Sequence, residues 1–219
     1  METCCQPRAV FLDRDGVINE ILFHKEVGLL ETPFTPAQFK LKPGAAEAVR
    51  RLNRLGLRVV VVSNQPGVAM RHFSRKTLIL ITQKMIRLLK QKGARLDGIY
   101  YCIHHPEKGF GALRKRCTCR KPKPGMLRLA AKELGIDLRG SYMIGDSILD
   151  VRAGRSVGCK TFLLAHLKCD LCHLMARRGI KPDYLMKDLK AAVRRIEKLE
   201  RKNHSHSGRF QHPDRAAVL

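Results

Sequence analysis

Six short apolar runs that alternate with segments of helical period constrain this chain more than any other feature. The runs are AVFLD (9–13), LRVVVVS (57–63), GIYYC (98–102), SYMIGD (141–146), CKTFLL (159–164) and a weaker DYLM (183–186). Runs this apolar, without polar alternation, describe strands buried on both faces. The helical segments between and after them are 43–56, 74–93, 124–135, 148–158 and 188–202, the first three opened by Pro-Gly or Ser and the first four closed by Gly. Parallel strands with crossover helices on both faces satisfy this order, so the expected fold is α/β, a doubly wound Rossmann-like parallel sheet.

In such sheets ligands bind beyond the carboxyl ends of the strands, at the point where the strand order reverses. The polar residues closing successive strands are Asp13 and Asp15, then Ser63 and Asn64, then Asp146. Three strands thus deliver polar groups to one edge. In a strand, residues i and i+2 point to the same side, so Asp13 and Asp15 are expected to converge. Two carboxylates that close stay ionised only with a cation between them. The competing reading of DRDG as an ordinary Asp-Gly turn does not explain the polar groups at the other strand ends. About 45 residues separate DRDG from SNQ, room for a loop at 20–42 lining the site but not for a folded cap of ordinary domain size.

Composition narrows the setting. No stretch approaches the roughly 20 apolar residues that cross a bilayer, and the opening METCCQPRAV lacks the order of a signal peptide. A cytoplasmic protein is expected, with no membrane partner. Its eight cysteines are then thiols or metal ligands rather than disulfides. The net charge of +24 would give nonspecific nucleic-acid affinity. The basic residues are nevertheless spread along polar helix faces without interleaved aromatic rings, so composition does not define a dedicated nucleic-acid site.

A second constellation is CIHHPEKGFGALRKRCTCRKP (102–122). Its two pairs of the form C-x-[CH] match a closed, four-ligand structural zinc site, with His105 competing with His104 for one position. The C-x-x-C-H of CDLCH (169–173) has the spacing of haem attachment, which needs export; a surface or half-buried segment is expected instead. The remaining Cys4, Cys5 and Cys159 carry no spacing.

Four motifs in order, DRDG (13–16), SNQ (63–65), RKPKPGM (120–126) and GDSILD (145–150), make the chain resemble the haloacid dehalogenase (HAD) superfamily phosphatases. Within them it is similar to the branch of heptose bisphosphate and histidinol phosphatases, over about residues 9–199. The resemblance implies Asp13 as nucleophile, Asp15 as general acid and base, and Ser63 and Lys121 as holders of the transferring oxygens. It implies Mg²⁺ held by Asp13, Asp146 and the backbone carbonyl of Asp15, with Arg120 and Asn64 toward substrate. It also selects His104, with Cys102, Cys117 and Cys119, for zinc. Asp150 is expected to orient its loop or cap the helix at 148–158, and Gln65 to shape its loop. Ser147 stands where heptose enzymes often carry Lys, and the 20–42 loop agrees in little but length. The expected activity is removal of one phosphate from a phosphorylated sugar by a monomer, most specifically heptose 1,7-bisphosphate. Histidinol phosphate, a nucleic-acid 3′-phosphate and a non-catalytic binding role are the rivals. The domain is expected to span 1–202, with its zinc loop at 102–119 and a disordered tail at 203–219.

Overall fold

The computed structural model describes residues 6–24, 29–164 and 179–207. Six strands form the main sheet: β1 (Ala9–Leu12), β4 (Arg58–Asn64), β5 (Gly98–Cys102), β6 (Tyr142–Gly145), β7 (Lys160–Leu164) and β8 (Tyr184–Met186). Their order is β5-β4-β1-β6-β7-β8, and every pairing is parallel. The six apolar runs are therefore the six strands. From β1 the chain builds outward to β4 and β5, then returns to the other side with β6. The strand order thus reverses between β1 and β6, the strands that lead to Asp13 and Asp146.

Strand alternation divides the interior into two layers. Val10, Leu12, Val59 and Val61 face α1 (Ala45–Arg54), α2 (Arg75–Gln91) and α5 (Leu189–Ser207), whose buried faces supply Val49, Leu52, Ile81, Met85, Leu89, Val193 and Ile196. Ala9, Phe11, Val60 and Val62 face the other way, onto Met126, Leu127 and Ala130 of α3 (Gly125–Leu134) and Ala153 of α4 (Ile148–Arg155). All four residues of β1 are completely buried, as a central parallel strand requires. A side-chain cap opens α2: Ser74 accepts from the Thr77 N–H at 3.0 Å.

Two elements depart from expectation. The 20–42 segment is not wholly irregular: β2 (Leu22–His24) and β3 (Leu29–Glu31) pair antiparallel as a small sheet of their own. The final helix continues to Ser207, past the boundary expected at 202. CDLCH, Cys4, Cys5 and the segment beyond 207 lie outside the described residues.

Candidate active site

The edge where β1 and β6 end carries a cluster of carboxylates. Asp13, directly after β1, donates its N–H to the Ile144 carbonyl at 3.0 Å and so extends the sheet by one bond. Oxygens of Asp13, Asp146 and Asp150 lie within 4.8 Å of one another. Gly16 makes this approach geometrically possible. Its φ is +77°, and a Cβ there would sit 1.9 Å from Asp146 Oδ2. Both the left-handed backbone and the contact exclude other residues.

Lys121 enters the cluster from below. It is 2 % exposed, and its ammonium reaches Asp13 Oδ1 at 3.0 Å, Asp150 Oδ1 at 2.5 Å and the Val62 carbonyl at 2.8 Å. Burial works against the charged ammonium, but Asp13 and Asp150 outweigh it and hold Lys121 protonated well above the usual range. One cation is not enough for three carboxylates. Burial, then the charges of Asp13 and Asp150, push Asp146 up to about 8 despite Lys121. Burial pushes Asp150 up to about 6, with Lys121 opposing and Asp13 reinforcing the rise. A set of hard oxygen donors with this unbalanced charge fits a divalent cation such as Mg²⁺.

Backbone clamps place Lys121. The Asn64 amide donates to the Lys121 carbonyl at 3.1 Å and accepts from the Lys121 N–H at 3.0 Å. Asn64, expected to contact substrate, thus spends both amide ends on the lysine's peptide. Asp150 caps α4 as expected: with Ser147 it forms a capping box, accepting from the Ser147 N–H at 3.1 Å while Ser147 Oγ accepts from Leu149. Its second oxygen pairs with Lys121, a contact the sequence did not suggest.

Asp15 corrects the opening expectation. Its side chain does not join the Asp13 cluster. The strand ends at Leu12, and residues 14–19 form a turn in which the Ile18 N–H bonds to the Arg14 carbonyl at 2.8 Å. Past that point the i, i+2 rule no longer applies. Asp15 Oδ1 instead accepts from Arg14 Nε, Arg14 Nη2 and Asn19 Nδ2 at 3.1, 3.0 and 3.0 Å, and Oδ2 from Gln65 Nε2 at 2.7 Å. Gln65 also donates to Ser63 Oγ at 3.2 Å, so the buried Ser63 and Asp15 share one network. The Asp13 side chain is oriented separately: its Oδ1 accepts from the Arg14 N–H at 2.7 Å.

The second constellation also assembles. Ligand atoms of Cys102, His104, Cys117 and Cys119 lie within 4.8 Å of one another, with sulfur pairs at 3.3 to 3.6 Å. A tetrahedron with zinc–sulfur bonds of about 2.3 Å has edges of roughly 3.8 Å, so the donor set fits zinc. His105 lies outside this set; its Nδ1 accepts from the N–H groups of Glu107 and Lys108 at 3.1 and 2.7 Å. The cluster ends directly at Arg120, whose Nη1 donates to the His104 carbonyl at 3.2 Å. Cys159 lies apart, buried against α3 and α4.

The doubly wound sheet, the carboxylates at its switch point and the buried lysine define a HAD-like hydrolase, and residues 118–192 match the HAD-hydrolase-like family. The chain is 42% identical over 157 residues to a D-glycero-β-D-manno-heptose-1,7-bisphosphate 7-phosphatase of Pasteurella multocida, spanning 72% of this chain and 80% of the relative. A Vibrio cholerae enzyme of the same name is 42% identical over 156 residues, 71% and 80% of the two chains. The chain belongs to this family of heptose bisphosphate phosphatases. Among solved structures, the D,D-heptose 1,7-bisphosphate phosphatase of B. bronchiseptica, complexed with magnesium and phosphate, superposes with a TM-score of 0.72. It is 31% identical, over 88% of this chain and 99% of that one.

Proposed function

We propose that the protein removes the 7-phosphate of D-glycero-D-manno-heptose 1,7-bisphosphate through an aspartyl-phosphate on Asp13. The observation that carries the chemistry is the meeting of Asp13, Asp146 and Asp150 around a buried Lys121 at the sheet's switch point. The substrate follows from the relatives above, whose names specify it.

In the first step an Asp13 carboxylate oxygen attacks the 7-phosphorus as the bond from phosphorus to the sugar oxygen breaks. Asp15 gives a proton to that leaving oxygen. In the second step water attacks the aspartyl-phosphate, Asp15 accepts the water's proton, and the phosphorus–Asp13 bond breaks to release inorganic phosphate. Ser63 and Lys121 stabilise the transferring oxygens, Asn64 and Asp150 fix Lys121, and Arg120 faces substrate. Asp13 and Asp146, with the Asp15 carbonyl, would hold Mg²⁺, which supplies positive charge to offset the repulsion between carboxylate and phosphate. Cys102, His104, Cys117 and Cys119 would hold a structural zinc that ties down the loop ending at Arg120 and Lys121. One phosphatase domain, closed by the helix that ends at Ser207, carries this site, and the protein acts as a cytoplasmic monomer.

The test is phosphate release with Mg²⁺ from heptose 1,7-bisphosphate, histidinol phosphate and a 3′-phosphorylated oligonucleotide, with Asp13→Asn as the blank. Asp13-dependent turnover of the heptose above the other two is expected. Preferential turnover of another substrate keeps the chemistry and overturns the substrate. Turnover of the heptose by Asp13→Asn overturns the mechanism.

A further inference from the structure

Arg14 stands between the nucleophile and the acid in DRDG, yet its side chain is completely buried. A lone buried guanidinium is costly, and replacing a buried ion pair by well-packed apolar groups is often neutral or stabilising. Arg14 is therefore poorly explained as a contribution to stability. What it touches is specific. Nε and Nη2 fork onto Asp15 Oδ1 at 3.1 and 3.0 Å, Nη2 also reaches Asp15 Oδ2 at 3.1 Å, and the same nitrogen donates to Gln65 Oε1 at 2.9 Å.

Gln65 closes the ring. With its oxygen turned to Arg14, its nitrogen faces Asp15 Oδ2 at 2.7 Å. Arginine thus orients the glutamine, and both orient the aspartate. Asn19 supplies a third fixed donor to Oδ1 at 3.0 Å, while its own Nδ2 also bonds the Glu20 carbonyl at 2.9 Å. The guanidinium is itself wedged, its Cζ 5.7 Å from the centre of the Tyr101 ring, and the Tyr101 hydroxyl is tied to Thr82 Oγ1 at 3.0 Å. Rotating the Asp15 carboxylate breaks several of these bonds together. A planar fork holds a carboxylate plane in a way that a point-charge ammonium does not.

We infer that Arg14 is a positioning residue for the acid and base step: through its fork to Asp15, and through Gln65, it fixes the carboxyl that must meet the leaving oxygen. This deepens the proposed reaction and rests on Asp15 as its acid. Its effect is confined to proton delivery, because Asp13 is oriented by the Arg14 backbone N–H and by Lys121, not by the Arg14 side chain.

The substitutions Arg14→Lys and Arg14→Met, with Gln65→Leu beside them, are compared on two substrates in rapid-mixing experiments. A sugar phosphate leaves as a poor alkoxide and needs the proton; 2,4-dinitrophenyl phosphate leaves as a stable phenolate and does not. General acid catalysis is worth roughly 100-fold or more, so first-turnover release from the heptose bisphosphate should fall by about that factor in Arg14→Met, with KM little changed. The burst of dinitrophenolate should persist within a few-fold. Arg14→Lys, which keeps the charge and loses the fork, should show the same selective loss, and Gln65→Leu a smaller one. Equal losses on both substrates, or full activity in Arg14→Lys, would overturn the inference. If Arg14→Met fails to fold, Arg14→Lys and Gln65→Leu carry the test by the same ratio. Wild-type inactivity on every phosphate would instead overturn the proposed function.

Discussion

The raised Asp146 makes cation binding depend on pH in a calculable way. In the cation-free protein, burial and then the neighbouring Asp13 and Asp150 push this carboxyl up to about 8. A cation needs the carboxylate, so below that value binding must displace a proton. The sign is that apparent Mg²⁺ affinity falls as pH falls, about tenfold per unit below 8, and levels off above it. At pH 6 the affinity should be at least about 100-fold weaker than on the plateau, with about one proton released per Mg²⁺ bound from Asp146 and a further fraction from Asp150, itself pushed up to about 6. Near pH 9 proton release should drop to about a tenth. Calorimetric Mg²⁺ titrations in buffers of different ionisation enthalpy measure both quantities. An ordinary aspartate, titrating near about 3.9, would give flat affinity from pH 6 to 9 and no proton release. That flat result would refute the crowding of Asp146 as drawn.

Three perturbations test other parts of the site. Gly16→Ala should weaken Mg²⁺ binding and lower stability, by about 1–2 kcal/mol from the left-handed backbone alone, because its methyl would also displace Asp146; thermal melts with and without Mg²⁺ would register both. Lys121→Met should destabilise the protein by about 3–5 kcal/mol in denaturant titrations, since it strands Asp13 and Asp150 without their buried partner. Part of that loss should return on adding Mg²⁺; no loss at all would contradict the ion pairs. Cys119→Ser, or zinc removal from a sample that stays folded, should lower turnover through Arg120 and Lys121 without changing Asp13, and full retained activity would contradict the mechanical link.

Much of this was legible because burial writes itself into sequence. Parallel strands buried on both faces leave apolar runs, and all six were read with edges near those observed; even DYLM pairs with β7 as the sheet's last strand. Asp13 and Asp146, each directly after its strand, and Ser63, near the end of its own, could be placed on one edge because topology alone brings strand ends together. The gathering of Cys102, Cys117 and Cys119 was legible because short C-x-[CH] spacing fixes their neighbourhood, while the choice of His104 over His105 came from the resemblance. What escaped depends on turns and on shared hydrogen bonds. Asp15 was paired with Asp13 by strand alternation, but the strand stops at Leu12 and the turn at 14–19 sends the carboxylate to Arg14. Asn64 was set toward substrate by the resemblance alone; its amide partner, the Lys121 peptide, lies far away in the chain and left no local signal. The hairpin of β2 and β3 left no pattern because three-residue strands are too short to show a period.

The central claim is a covalent phosphate on Asp13. Acid quenching of the protein during turnover of substrate labelled in the 7-phosphate, followed by peptide mapping, tests it most directly. An alkali-labile label is expected on the peptide carrying Asp13, formed before inorganic phosphate and absent in Asp13→Asn. Turnover with no labelled protein at any time, or a label carried by another residue, would contradict it.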